Sequence, residues 1–232
     1  MNAERLSAPA ERADAPIDEL TLVSMLSSRI CHDLVGPIGA LGNGVEFLNG
    51  QVDEGTRDHA IRVISDSVSQ ASARLQFYRA AFGMGGSLSD QTRLSDLRDL
   101  TEMLLEGGRV SLDWEPDERE EISRGATRLM MNLILLGVET LPRGGVLRAG
   151  LVRPDGARNA HERMMLVVAE GPMLKLTPRI KSLLLRGALS ADDAPLEPKE
   201  SPAVLTHRIA QSIAARLNCA EEEDHVILAA TL

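Results

Sequence analysis

Residues 61–82, IRVISDSVSQASARLQFYRAAF, place Ile61, Ile64, Val68, Ala71, Leu75, Tyr78 and Phe82 at spacings of 3, 4, 3, 4, 3 and 4. Only a helix returns that rhythm to one face. Arg57, Asp58, Arg62, Asp66, Ser69 and Arg79 fall off the stripe, as solvated positions should. The run closes at GMGGS, residues 83–87, which has the composition of a hinge.

A second helix is predicted upstream. Pro16 suits a first helical turn, and Asp18 and Glu19 suit its positive end. Counted in heptads, one position reads Leu20, Ser27, Leu34, Leu41 and Leu48, and the other Val23, Ile30, Pro37 and Gly44. Asn49-Gly50 is a turn pair that ends the pattern. Two helices joined by so short a loop form an antiparallel hairpin. A lone hairpin leaves an apolar face uncovered, so the expected assembly is a homodimer whose hairpins make a four-helix bundle. Its interface is expected at Leu34, Leu41, Ile61, Ile64, Val68 and Leu75.

Composition narrows the function. The 232 residues are 44% hydrophobic but only 2% aromatic, which predicts an aliphatic, helix-rich core. A formal net charge of −9 and one Trp, one Tyr and three Phe argue against a nucleic-acid binder. Two cysteines, Cys31 and Cys219, suggest no disulfide framework and a reducing compartment. No signal-like start and no run of about 18 apolar residues is found, so the expectation is a cytoplasmic protein without membrane association. Residues 1–16 read as a frayed tail.

Within the first helix, RICHDLVGPIGAL (residues 29–41) sets His32 opposite the apolar seam and facing solvent. The position denies it the usual role of a hydrogen-bonded core histidine. What remains is surface filler or a reactive group. Its face is shared with Ser28, Arg29, Gly36, Gly39, Ala40 and Asn43. Glycine inside a helix costs about 1 kcal/mol relative to alanine, and proline removes a backbone hydrogen bond. A merely solvated face has no need of such residues. A face that another protein approaches closely does, and these six are the expected partner-binding set. A metal site is excluded at Cys31, His32 and Asp33, which diverge by about 100° per residue on a helix. His59, His161, His207 and His225 are scattered and read as structural or surface residues.

The box HDLVGP, residues 32–37, resembles the phosphoacceptor motif H-[E/D]-x-x-x-P of sensor histidine kinases, on the first helix of a dimerising hairpin. Residues 88–232 resemble in outline the α/β ATP-binding domain that follows it there. Helices are expected at 94–105, 119–141, 178–186 and 204–217, and strands at 109–114, 146–153, 164–169 and 225–231. The fold class is therefore α+β: a hairpin domain over residues 17–83 and a kinase-like α/β sandwich over 88–232.

The nucleotide boxes of that family are missing. Asn132 is followed four residues later by Leu136, not a second asparagine. Glu170-Gly171-Pro172 stands where D-x-G-x-G belongs, and residues 200–211 contain no glycine to cradle phosphates. An intact histidine box with a degenerate nucleotide site resembles the ChpT-type histidine phosphotransferases of alphaproteobacteria. HDLVGPIGALGNGVEFL and LPRGG (141–145) carry that resemblance most specifically.

The resemblance implies that His32 takes a phosphoryl group from the receiver domain of a CckA-like hybrid kinase. It then passes the group to receivers of CtrA-like and CpdR-like response regulators. It implies no cofactor in this chain and Mg²⁺ on the partner receiver. Asp33 either orients the imidazole or meets the partner; Arg29 either contacts docked partner and phosphate or is a solvated charge. An ATP-dependent sensor kinase and a non-catalytic dimeric scaffold are the competing readings.

Overall fold

The computed structural model describes residues 15–50, 52–83, 90–115, 120–153, 162–189 and 193–232. A two-residue strand β1 (Ala15–Pro16) leads into α1 (Glu19–Asn49), and α2 (Glu54–Phe82) runs back along it. The expected helix start at Pro16 moves to Asp18. That side chain accepts the Thr21 backbone N–H at 2.9 Å and so caps the helix, while Pro16 pairs with a strand of the C-terminal half. Asp53 caps α2 in the same way through Thr56. The hinge expected at 83–87 begins at the Gly83 cap of α2 and otherwise lies outside the described residues.

Then follow β2 (Gln91–Arg93), α3 (Leu94–Leu105), β3 (Val110–Trp114), β4 (Glu121–Ser123), α4 (Arg124–Glu139), β5 (Gly145–Val152) and β6 (Met164–Glu170). The chain finishes with α5 (Pro178–Arg186), β7 (Ala188–Leu189), a 3₁₀ turn (Pro198–Glu200), α6 (Ser201–Ser212), β8 (Arg216–Glu221) and β9 (His225–Thr231). The main sheet runs β3-β5-β6-β9-β8, with β3 parallel to β5 and the other neighbours antiparallel. Two expected helices shrink. The start of the one placed at 119–141 becomes β4, paired with β2, because Ser123 caps α4 through the Ala126 N–H. The end of the one placed at 204–217 becomes β8, a strand absent from the sequence reading.

α4 is the centre of the molecule. Leu129, Met130, Met131, Leu133 and Ile134 are fully buried, and a helix apolar all round has to be covered on every side. The sheet covers one side, α6 another, and the C-terminal turns of α2 a third. Gly137 lets the sheet come close, since a Cβ there would stand 2.7 Å from Leu147 Cδ1. In the LPRGG turn, Gly144 and Gly145 have φ of +88° and +146°, and side chains at either would meet the carbonyls of Arg109 and Glu170. Only glycine suits both.

The hairpin is packed onto this domain rather than strung to it. Phe77, Tyr78, Ala80 and Ala81 of α2 are buried in the common core. From α1, Leu22 is buried there and Met25, Leu26 and Ile30 pack against it. Leu20 and Val23, assigned to the heptad seam, are instead 76% and 59% exposed. The first turns of α1 face α6, so Leu22, Met25 and Leu26 pack inward where the heptad count placed Leu20 and Val23. Beyond Ile30 the two helices pack on each other, with Pro37 and Gly44 buried between them.

Candidate functional site

The site forms where α1 leaves the C-terminal domain. His32 stands 85% exposed on the outer face of the helix. Its Nδ1 lies 3.1 Å from Asp33 Oδ1. A carboxylate only accepts, so this is a hydrogen bond when the proton sits on Nδ1, which leaves Nε2 with its lone pair toward solvent. That is the arrangement of a nucleophilic imidazole.

Asp33 is held from three sides. Its other oxygen accepts from Arg29 Nε at 2.7 Å, one turn back, and from the Tyr78 hydroxyl across the hairpin. Burial alone would raise the Asp33 pKa, but the bonds from Tyr78 and Arg29 outweigh it and hold the carboxyl below its ordinary value. The same bond, added to burial, pushes the Tyr78 phenol up. Arg29 is shared with Glu139 at the end of α4, whose Oε1 lies 2.5 Å from Arg29 Nη2. Burial works against the Arg29 charge, yet Glu139 and Asp33 together raise its pKa. Glu139 is the loser of this competition. Burial, with Asp33 repelling its charge, pushes it up to about 7 although Arg29 pulls the other way. Asp33 is thus the anion of the cluster, and Glu139 titrates near neutrality.

The structure reassigns one expected residue. Arg29 was expected on the outer face with His32, but its side chain is only 12% exposed and turns into the junction with the C-terminal domain. It supports Asp33 and is not a free docking cation. Ser28, Gly36, Gly39 and Asn43 are exposed, and Ala40 is half-buried. Nothing lies within 4 Å of a Cβ built at Gly36 or Gly39, so no packing inside the chain explains these glycines. Gly44 differs: there a Cβ would meet Ile64 at 2.7 Å, in the close approach of α1 and α2.

Three residues escaped the sequence reading: Tyr78, Glu139 and Arg74. Tyr78 had been placed on the apolar stripe, where its ring does stack on Phe82. The signal for Arg74 lay in Pro37. A helical carbonyl accepts from the N–H four residues on, and proline has none, so the carbonyl of Asp33 needs a donor from outside its helix. Arg74 Nη1 supplies it at 2.5 Å.

The expected interface residues divide. Ile61, Val68 and Leu75 form an exposed row on α2, about half accessible each, while Leu34, Leu41 and Ile64 are half-buried between the helices. Val35, Ile38 and Val45 add an exposed apolar row on α1 that the heptad count did not include. Asn132 is fully buried, and its amide donates to the carbonyls of Ala81 and Arg128, both at 2.8 Å. It ties the end of α2 to α4. Gly171 packs on the Gly144 carbonyl, and Glu170 pairs with Arg148.

Of the other histidines, His59 is exposed, His207 Nδ1 bonds the Leu184 carbonyl at 3.0 Å, His225 pairs with Asp224, and His161 lies outside the described residues. Cys31 is exposed and Cys219 buried, and neither is in a disulfide. Among the described residues no group of His, Cys, Asp and Glu is placed to hold a metal ion. No described helix is long and apolar enough to cross a membrane.

Similar proteins point to one family. Residues 94–225 match the model of the histidine phosphotransferase C-terminal domain. The protein phosphotransferase ChpT of Brucella abortus (strain 2308) is 33% identical over 167 residues, covering 72% of this chain and 76% of that protein. A solved bacterial phosphotransferase superposes with a TM-score of 0.77 at 27% identity, covering 94% of this chain and 98% of the other. The domain match spans more than half of the chain and the solved phosphotransferase covers 94% of it: the chain belongs to the histidine phosphotransferase family.

Proposed function

We propose that His32 is the phosphoacceptor through which this protein shuttles a phosphoryl group between the aspartates of two receiver domains. One observation carries the reading. His32, exposed on the first helix of the hairpin, has its Nδ1 turned to a fixed carboxylate and its Nε2 open to solvent. The chemistry follows. Nε2 attacks the phosphorus of a receiver's aspartyl phosphate. The N–P bond forms as the P–O bond breaks, and that electron pair returns to the receiver carboxylate. The ring gains positive charge and keeps its Nδ1 proton, and Asp33, held ionised by Arg29 and Tyr78, offsets that charge. The reverse sequence delivers the group to the next receiver. Mg²⁺ belongs to the receiver in this scheme, since in-line transfer needs its charge neutralised and the moving atoms positioned.

The family resemblance points to a CckA-like hybrid kinase as donor and CtrA-like and CpdR-like regulators as acceptors. The exposed stripe of Ser28, Gly36, Gly39 and Asn43 is the docking face in this reading, with the C-terminal domain gripping the receiver beside it. The exposed rows Ile61, Val68, Leu75 and Val35, Ile38, Val45 suit a second copy of the chain, whose hairpin completes a four-helix bundle. The test is to mix the protein with a phosphorylated receiver and assay for acid-labile label. Label on the wild-type chain and none on His32→Ala supports the assignment. Label that persists on His32→Ala overturns it.

A further inference from the structure

We propose that Arg74 is the cation that contacts the phosphoryl oxygens at this site, held in place by the carbonyl that Pro37 leaves without a partner. The inference rests on His32 being the phosphoacceptor.

Three arginines are, or adjoin, the residues that hold Asp33, and they are not equivalent. Arg29 is neutralised by Asp33 and Glu139 and faces away from the groove. Arg79 is exposed near the far end of α2. Arg74 differs from both. It lines, with His32, Asp33, Gly36, Pro37 and Gln70, the groove between α1 and α2. One of its guanidinium N–H groups donates to the Asp33 carbonyl. A guanidinium has five N–H donors, so four remain. Among the described residues no carboxylate pairs with Arg74. A half-buried cation with no ion-pair partner, beside an open nucleophile, is suited to an anion that comes and goes, although Asp66 also lines the groove.

The anchoring decides the argument. An unanchored arginine carries rotamer entropy that must be lost whenever it grips a ligand. The bond to Asp33 removes part of that cost in advance. It also sets the guanidinium one residue from His32 along the helix. Pro37 therefore does more than bend α1: by withholding an N–H it creates the acceptor that draws Arg74 into the groove. During transfer Arg74 exchanges no proton. It remains charged while the N–P bond forms and the P–O bond of the aspartyl phosphate breaks, and it offsets the charge on the phosphoryl oxygens throughout.

Two substitutions separate this role from simple helix repair. Arg74→Gln keeps a donor for the Asp33 carbonyl and loses the charge; Arg74→Lys keeps both. Phosphotransfer from a phosphorylated receiver is expected to fall at least ~10-fold in Arg74→Gln and only a few-fold in Arg74→Lys. Phosphohistidine formed with phosphoramidate, a small donor that needs no receiver, should likewise appear more slowly in Arg74→Gln than in Arg74→Lys. Wild-type rates in Arg74→Gln overturn the proposal. If Arg74→Gln folds less stably, the phosphoramidate reaction decides, run at a temperature where both variants are folded, and equal rates there overturn the proposal as well. Absence of label on the wild-type chain would instead count against the reading of His32 itself.

Discussion

Arg29 Nη2 and Glu139 Oε1 meet 2.5 Å apart where the hairpin joins the C-terminal domain, so the residue that steadies Asp33 is itself steadied by the other domain. Because Glu139 is pushed up to about 7, the cluster has a pH signature. An acid whose folded pKa lies above its ordinary value binds more protons folded than unfolded in the window between the two. Stability contributed by the neutral form is present below about pH 4.5 to 5 and is lost as pH rises toward 7. Glu139→Gln mimics the protonated acid at every pH. It should match the wild type near pH 5 and exceed it by about 1–3 kcal/mol near pH 8. Urea melts at both pH values check this; parallel curves would show that Glu139 is not strained by its burial.

Tyr78 predicts a different split. Its hydroxyl holds Asp33 while its ring packs in the core, so Tyr78→Phe removes the bond and keeps the packing. The fold should survive at a cost of about 1 kcal/mol. Phosphotransfer should drop several-fold, and the His32 tautomer seen by ¹⁵N NMR should shift away from Nδ1–H as Asp33 loosens. An unchanged tautomer and rate would make Tyr78 a packing residue only.

The exposed rows on the hairpin predict the assembly. Val68→Glu or Leu75→Glu places a charge in the middle of an apolar contact between copies, a change that costs several kcal/mol when the charge is buried. Light scattering should find the wild type dimeric and either variant monomeric or unfolded. A folded wild-type monomer at micromolar concentration would remove the bundle from the account.

Periodicity carries the fold well where one face is buried and one is wet. The 94–105 helix and the closing strand are readable for that reason, and α3, α5 and β9 begin and end at the expected residues. It fails where a helix has two different neighbours. α1 packs on α6 at one end and on α2 at the other, so a single heptad count puts Leu20 and Val23 on the wrong side. The site divides along the same line. His32 and Asp33 are adjacent in a recognisable box, whereas Tyr78, Arg74 and Glu139 reach them from 41 or more residues away in the chain. No local pattern encodes those meetings, except that a proline four residues after Asp33 announces a carbonyl in need of a donor.

Asn132 bears on ATP. In the resemblance to kinases it is the one asparagine left on the long helix, and its amide is engaged by Ala81 and Arg128 at the base of the hairpin. Asn132 is also fully buried, so its side chain is shut away from Mg²⁺ or phosphate arriving from solvent. Mg-ATP should therefore leave the melting temperature unchanged within about a degree, whereas a specific ligand at a hundred times its Kd adds about 2.7 kcal/mol. A stabilisation of several degrees would restore an ATP-dependent kinase as the better reading.

The last prediction turns on Gly39. It sits exposed in the middle of α1, and a Cβ built there meets nothing within 4 Å. Leucine fits without displacing any neighbour and is the better helix former by somewhat under 1 kcal/mol. Gly39→Leu should thus hold or slightly raise the melting temperature. If a receiver lies close against this face, the same side chain keeps it off, and a displacement of about 1 Å at the reacting atoms costs on the order of a hundredfold in rate. Stability and transfer should move in opposite directions in one variant. A packing role for the glycine predicts the reverse, a loss of stability that transfer merely follows. Normal transfer by a stable Gly39→Leu protein would place the docking face elsewhere on the hairpin.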